Sequence, residues 1–359
     1  RKSRWRSPDD IEAVIRSNLR QGVRRFFITD DDFARNKNWE AILDRLIVLR
    51  EDERLPISFT IQVDTQCHKI PRFIEKAARA GCRNVFIGLE SINPDALIAA
   101  KKRQNKIWGY RKMLQAWKDH GCTTIAGYIL GFPQDTPGSI AQDIEIIKRE
   151  LPIDMLEFFY LTPLPGSEDH QTLTAQGVWM DSDMNKYDLE HVTTAHSCMS
   201  EGEWSQVYKT SWRQYYTLEH IETVLRRAAA KRLNMNKLMY HLLWFSGSTT
   251  IDKVHPLEWG VLRRKVRKQR RCGMLFESPF IFYPRRVWQV TSTCVRWAFL
   301  VWTVYRIRCR VENASTRLEY IDTALTPVAD QEEGSLDLMQ VHADSCVHPH
   351  ITKQKAAIV

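Results

Sequence analysis

Five short apolar runs mark the first 165 residues: VRRFFIT (23–29), ISFTIQV (57–63), RNVFIGL (83–89), CTTIAGYIL (122–130) and DMLEFFYL (154–161). Their hydrophobicity is nearly continuous rather than alternating, the pattern of parallel strands covered on both faces. Helical periodicity fills the gaps between them. Ser7-Pro8-Asp9-Asp10 combines an N-cap, a first-turn proline and first-turn acids ahead of IEAVIRSNLRQ, the usual opening of a helix. NWEAILDRLIVLRE, KIPRFIEKAARA, the pair around PDALIAA and GYRKMLQAWKDH, and TPGSIAQDIEIIKRE follow the same logic. Gly22, Gly81 and Gly121 stand where a left-handed helix end is expected. The order opens on a helix with no strand before it, and residue 1 is Arg rather than Met. The expectation is therefore an α/β fold, a partial (β/α)6 TIM-like barrel that lacks its first strand through truncation upstream.

Beyond Pro165 the pattern changes. A polar, loop-rich stretch runs to about residue 200, and Glu203 to Asn236 is predicted helical, with Trp204, Tyr208, Trp212 and Tyr215 on one stripe. Such a stripe packs on a core far more often than it lines a cofactor. The basic run RRKVRKQRR (263–271) precedes the basic amphipathic segment PRRVWQVTSTCVRWAFLVWTVYRIRCR. These changes divide the chain into a barrel (1–200), a helical, Trp-rich basic region (201–317) and a polar tail expected to fray (318–359).

Composition sharpens this picture in two places. The net charge of +9 sits in the C-terminal part, since Glu201 to Arg310 holds 21 Lys and Arg against 7 Asp and Glu. Phosphates of nucleic acid, an anionic membrane surface beside the Trp-rich segment, or plain solvent could each match that basic region. The solvated helix is preferred and nucleic acid set aside, with peripheral membrane contact kept for a lipid-like substrate. The eight cysteines are scattered without a CxxC, which excludes a disulfide framework and a self-contained metal motif and suits a reducing, cytoplasmic compartment. The charged opening RKSRWRSPDD gives no secretory leader, and the apolar stretch nearest to a membrane span carries Arg296 near its middle. His342, Cys346, His348 and His350 in the tail fit no standard zinc spacing.

In a parallel barrel the C-terminal strand ends face the active site. Here those ends carry Asp30-Asp31-Asp32, Gln62-Val63-Asp64, Gly88-Leu89-Glu90, GYILGFPQDT and YLTPLPGS. Three adjacent carboxylates repel one another, so solvent or a ligand must be satisfying them. A solvated strand exit, with Asp31 or Asp32 capping the next helix, is one reading of FFITDDDFARN; in the other, Asp30 and Asp31 face a ligand while Asp32 helps start the helix. Recurrence of acids at Asp30, Asp64 and Glu90 favours a ligand, either a divalent cation such as Mg2+ or Mn2+ or an organic cofactor. Glycines at 127 and 131 would let a flat ring approach the backbone.

RKSRWRSPDDIE, FFITDDDFARN, FTIQVDT, VFIGLESINPDAL, GYILGFPQDTP and EFFYLTPLPGSEDH, in that order and spacing, resemble a radical S-adenosylmethionine (SAM) enzyme of the subgroup that carries a cobalamin-binding domain. The resemblance spans roughly residues 1–200. It implies a six-unit partial barrel, SAM, a [4Fe-4S] cluster with its electron donor, and cobalamin held by an upstream domain. It further implies 5′-deoxyadenosyl-radical chemistry, with C-methylation of a small-molecule or lipid-like substrate as one outcome. By position, Asp30 and Asp31 would meet the amino group of SAM, while Gln62, Asp64, Gly88 and Glu90 would face its ribose or methionine end. Lys102 would meet its carboxylate. Gly127, Tyr128, Gly131 and Phe132 would lie against adenine, supported by the backbone of Leu161, Thr162 and Pro163.

One departure bears on activity. The family holds its cluster with CxxxCxxC after the first strand, and the sequence contains no such motif. The cluster cysteines are thus expected upstream of Arg1, with no metal ligand in this chain. A divalent-metal barrel enzyme, or a degenerate barrel serving as a nucleic-acid- or membrane-binding module, are the alternatives.

Overall fold

The computed structural model describes residues 5–99, 107–188, 190–260, 265–270 and 273–328. Five strands, β1 (Arg25–Phe27), β2 (Ser58–Val63), β3 (Cys82–Glu90), β4 (Thr123–Leu130) and β5 (Met155–Tyr160), form one sheet in the order β1-β2-β3-β4-β5. Every pairing is parallel, so each crossover carries helix: α1 (Pro8–Arg20) enters β1, and α2 (Trp39–Glu51), α3 (Phe73–Ala80), α4 (Pro94–Ala99) with α5 (Ile107–Asp119), and α6 (Pro137–Glu150) link the rest. This is the expected half barrel. All five strands lie where the apolar runs placed them.

Local chemistry accounts for the element ends. Ser7 accepts from the Asp10 N–H and Asp10 reaches back to the Ser7 N–H, while Pro8 occupies the first turn; Thr136 and Ser139 cap α6 the same way. Gly22, Gly81 and Gly121 all adopt positive φ as expected. At Gly81 the requirement is absolute, because a Cβ there would lie 2.6 Å from the Ile57 carbonyl oxygen.

Alternation along the strands sorts the sheet into two faces. Ile61, Val63, Val85, Ile87, Leu89, Ala126, Leu156 and Phe158 are buried under the helices. Thr60, Gln62, Phe86, Ile125, Ile129 and Phe159 on the other face stay partly exposed. In register, Gln62, Phe86, Ile125 and Met155 form one row across this inner face, and Gly88, Gly127 and Glu157 form the next row toward the strand ends.

The predicted helix over 203–236 is three helices, α8 (Glu201–Tyr215), α9 (Leu218–Ala230) and α10 (Met235–Gly247), preceded by the short α7 (Glu168–Ala175). Thr217 and Asn234 each accept a backbone N–H and restart the helix, which is why the run is interrupted. The aromatic stripe of α8 packs on β5 as expected: Trp212 meets Phe158 edge-on at 5.2 Å and Tyr208 stacks on Tyr160 at 4.5 Å. The Tyr216 hydroxyl donates to the Leu156 carbonyl at 2.8 Å and accepts from the Leu156 N–H at 3.1 Å, so the outer edge of β5 is blocked.

The last long element is α11 (Pro279–Asn313). After it the chain stays docked rather than fraying at residue 318: Arg227 pairs with Asp322 at 2.7 Å, and Gln115 donates to the carbonyls of Ala324 and Thr326. These contacts, one of them made by the buried Arg227, hold residues 322–326 despite the polar composition that suggested a loose tail. The basic run 263–271 is only partly described, and the tail histidines and Cys346 lie outside the described residues.

Candidate functional site

The C-terminal ends of β1 and β2 build an acidic corner. Asp30 accepts from the Asp32 N–H at 3.3 Å and from the Asn36 amide at 2.7 Å; Asp31 is exposed. Asp32 occupies the first position of a short 3-10 turn but makes no side-chain cap there. Instead its carboxylate accepts from the Asp64 N–H at 3.3 Å, so the idea that Asp32 starts the next helix is corrected. Arg35 binds Asp64 through two nitrogens at 2.9 and 2.6 Å. One guanidinium thus serves Asp32 and Asp64 together, and burial with help from the Asp64 charge pushes Asp32 up to about 6. A carboxyl raised by a like-charged neighbour marks a place where a cation would be welcome.

Next along the mouth come Gln62, which lies partly exposed on the inner face, and the glycine pair Gly88 and Gly127. A Cβ on Gly127 would meet the Phe86 ring at 2.9 Å and the Phe159 ring at 3.3 Å. The bare backbone is therefore needed for a floor already paved with aromatic rings. Glu90 has φ +67 and sits at a register shift opposite Tyr128. Its carboxylate turns back over Gly88, 3.0 Å from where a Cβ would stand. Among the described residues no three His, Cys, Asp or Glu side chains gather closely enough to hold a metal ion. Asp30, Asp64 and Glu90 share the mouth without forming a cation cage, so the divalent-metal reading is not carried forward.

At β4 the backbone and the side chains part company. Tyr128 points into the helix layer, its hydroxyl donating to Asp143 at 2.7 Å, and burial pushes Asp143 up to about 7. Gly131 and Phe132 both donate their N–H groups to Asp135 at 2.9 Å. The Phe132 carbonyl accepts from His196 Nε2 at 2.9 Å, because His196 Nδ1 already accepts from the Cys198 and Met199 N–H groups. The ring lying on Gly131 is the protein's own Trp204, whose indole would stand 2.0 Å from a Cβ there. Leu161 donates its N–H to Leu130 at 2.9 Å, Thr162 bonds the Tyr160 carbonyl, and Pro163 is buried beside them. Lys102 lies outside the described residues. Gly131→Ala combines φ +104 with that clash, and is expected to cost about 2–4 kcal/mol. A thermal melt should show the midpoint falling by roughly 3–5 °C; an unchanged midpoint would mean Trp204 does not hold this glycine.

Glu157 and His255 went unnoticed in the sequence. Glu157 occupies the glycine row on the inner face, and its side chain is 3% exposed. His255 arrives from residues beyond α10, its Nδ1 accepting from the Leu257 N–H at 3.2 Å, which leaves the neutral ring's proton on Nε2. That nitrogen faces Glu157 Oε1 at 3.6 Å, and neither atom makes a hydrogen bond of good geometry among the described residues. Burial pushes Glu157 up to about 8 and His255 down to about 4, the latter opposed by the Phe158 backbone and Asp188. A cavity of about 320 Å3 opens beside His255, with Tyr208, Trp212 and Lys253 in its wall. The sequence signal was one acid inside an apolar strand. Its partner lies 98 positions away in a loop and had none.

Among the described residues no cysteine arrangement suits an iron–sulfur cluster. Cys67 is buried and its thiol is pushed up to about 12 by burial; Cys82 and Cys122 are buried in the barrel, whereas Cys198 and Cys294 are exposed.

Five parallel strands with acids and glycines at successive C-terminal ends define an α/β half barrel. Residues 1–147 match the Radical SAM superfamily. Among curated proteins, the chain is 26% identical to bacteriochlorophyllide d C-12(1)-methyltransferase of Chlorobaculum tepidum over 183 residues, 51% of this chain and 38% of that protein. It is 22% identical to hopanoid C-2 methylase of Rhodopseudomonas palustris over 238 residues, 65% of this chain and 44% of that protein. The chain thus spans less than half the length of these relatives. Among solved structures, the radical SAM methyltransferase TsrM from Kitasatospora setae, with cobalamin and a [4Fe-4S] cluster bound, aligns with a TM-score of 0.43 at 18% identity, covering 60% of this chain and 39% of that one.

Proposed function

We propose that this chain is the SAM-binding core of a radical SAM methyltransferase that acts on carbon. The observation that carries the reading is the mouth itself: Asp32 and Asp64, served by the single guanidinium of Arg35, lie with Asp30 beside the Gly88–Gly127 backbone. The acidic corner suits the ammonium of a methionine moiety, and an aromatic-backed glycine floor suits a flat base. When bound, SAM supplies the adenosyl and methyl groups for the chemistry. The chain's residues bind and orient it: Asp30 and Asp64 hold the cationic end, Glu90 and Gln62 face the sugar, and the backbone at Gly127 and Leu161 supports the base. Water exclusion comes from the rings of Phe86 and Phe159.

The cysteines described above do not fit the cluster, and no step is assigned to it through this chain. Its ligands, its electron donor and a cobalamin domain belong to the proposal through the motif resemblance, and the methyltransferase names of the relatives support the reaction class. The acceptor is an unactivated carbon of a small-molecule or lipid-like substrate.

Equilibrium dialysis with labelled SAM tests the reading. Asp64→Ala and Asp30→Ala should each weaken binding about tenfold or more, the loss of one charge-assisted contact, while Asp31→Ala, at an exposed position, should weaken it least. Equal affinity across the wild type and the Asp30 and Asp64 variants would refute it.

A further inference from the structure

The 35 residues of α11 make a rod about 50 Å long, and only one side of it belongs to the protein. Val304, Ile307 and Val311 are buried against the neighbouring helices, and Trp297 lies over Gly247 with its indole N–H donated to Asp252 at 3.0 Å. The opposite side is apolar and bare. Phe280 is 90% exposed, Trp288 73% and Phe299 66%, with Val287, Val295 and Trp302 in the same stripe. At 100° per residue these positions fall on one arc of roughly 120°, facing away from Val304 and Ile307. Leu275, 90% exposed just upstream, extends the patch. A stripe of this length, left to water, is not what a soluble monomer presents without a use for it.

The charge pattern says what covers it. From Ser278 to Val311 there is no Asp or Glu, while Arg285, Arg286, Arg296, Arg306, Arg308 and Arg310 are all present. Some are tied back: Arg285 to Glu277, Arg308 to Glu312 and Arg310 to Glu222, while Arg296 donates to the Thr250 carbonyl. Arg306 instead lies over the Trp302 ring at 4.9 Å, so a cation and an aromatic ring are presented together at the edge of the stripe. No helix among the described residues is long and apolar enough to cross a membrane. Large aromatics on one face, Arg285, Arg296, Arg306 and Arg310 on or beside it and no acid between them are the features of a helix lying in the headgroup region of an anionic bilayer.

We propose that α11 and the segment leading into it are a docking surface for an anionic membrane, with the Phe280–Trp302 stripe among the acyl chains and the border arginines on lipid phosphates. The inference needs no turnover and stands apart from the SAM reading.

Sedimentation with vesicles tests it. Phosphatidylcholine vesicles containing about 30% phosphatidylserine should bind the protein about tenfold or more better than phosphatidylcholine alone, with the difference shrinking at high salt. Trp288→Glu with Phe299→Glu should lower that binding about tenfold or more; both side chains are exposed, and an unchanged thermal midpoint would show the fold intact. SAM binding should be unaltered in this variant, which separates failure here from failure of the proposed function. Absence of binding to either vesicle, or equal binding by the double variant, would overturn the proposal. So would a self-associated protein that the same substitutions render monomeric without any vesicle binding, since the stripe would then be covered by a second copy.

Discussion

Asp154→Ala is expected to cost about 3–5 kcal/mol, the cost of leaving a buried charge without its partner, out of a total stability of about 5–15 kcal/mol for a protein of ordinary stability. Asp154 stands just before β5 and is fully buried together with Lys118 of α5, with which it forms an ion pair. The same carboxylate accepts from the Thr124 N–H at 2.8 Å and the Thr124 hydroxyl at 3.1 Å. It therefore ties α5 to the starts of β4 and β5 at once. Burial pulls Lys118 down from its ordinary range while Asp154 holds it up, so removing the carboxylate strands an ammonium in the core. The urea midpoint should collapse, and Lys118→Met alone should do nearly as much harm by leaving the carboxylate uncompensated. Replacing both, Lys118→Met with Asp154→Leu, should recover a large part of the loss, since an apolar pair is often no worse than a buried ionic one. A loss below about 1 kcal/mol for Asp154→Ala would show that the pair is solvated and the account mistaken.

Glu157→Gln is expected to raise stability at alkaline pH by a few kcal/mol, because one unit of pKa shift corresponds to about 1.4 kcal/mol. Below about 4.5 the carboxyl is protonated in both the folded and the unfolded chain and contributes no difference. Between 4.5 and about 8 the unfolded chain releases the proton while the folded chain keeps it, so stability declines as pH rises. Above about 8 the folded chain carries a buried, unpaired carboxylate and the full penalty is present. His255, held down to about 4 by burial, is neutral in the folded chain across that window, but the unfolded chain binds its proton below about 6.5, so it adds an opposing, rising slope up to about 6.5 and none above. Thermal midpoints followed from pH 5 to 9 should therefore decline with pH more for the wild type than for Glu157→Gln, the difference opening above about 4.5 and complete above about 8. A residual slope is expected in the variant from Asp143 and Asp32, raised to about 7 and about 6. Parallel curves for the two proteins would mean that Glu157 is ionised in the folded state at neutral pH and that its burial has been misjudged.

These two carboxylates mark the limit of what could be read before the fold was known. Strands buried on both faces declare themselves as continuous apolar runs, and helix ends declare themselves through Ser7, Pro8, Thr136 and the positive-φ glycines, because both signals are local. The half barrel and its acidic mouth followed from those runs. Side-chain direction did not. Tyr128 turned toward Asp143, and Asp32 turned toward Asp64 instead of capping a helix, since each choice depended on a neighbour 15 or 32 positions away. Gly131 was legible as a necessary glycine, but the ring it admits belongs to Trp204. The pairing of Glu157 with His255 required the loop after α10 to fold back across the sheet, and nothing in either local sequence announces that.

The Tyr216 hydroxyl at Leu156 has a consequence for assembly. By occupying both polar groups of one residue on the outer side of β5, and with α8 lying along that strand, it makes the sheet end-stopped on one side. β1 is short and has no partner strand on its outer side among the described residues, with Phe27 exposed beside it. Any added strand, whether from the same polypeptide or another molecule, can therefore register only at β1. Growth of the sheet is polar, because the Tyr216 phenol already takes the edge groups of Leu156 that a further strand would need.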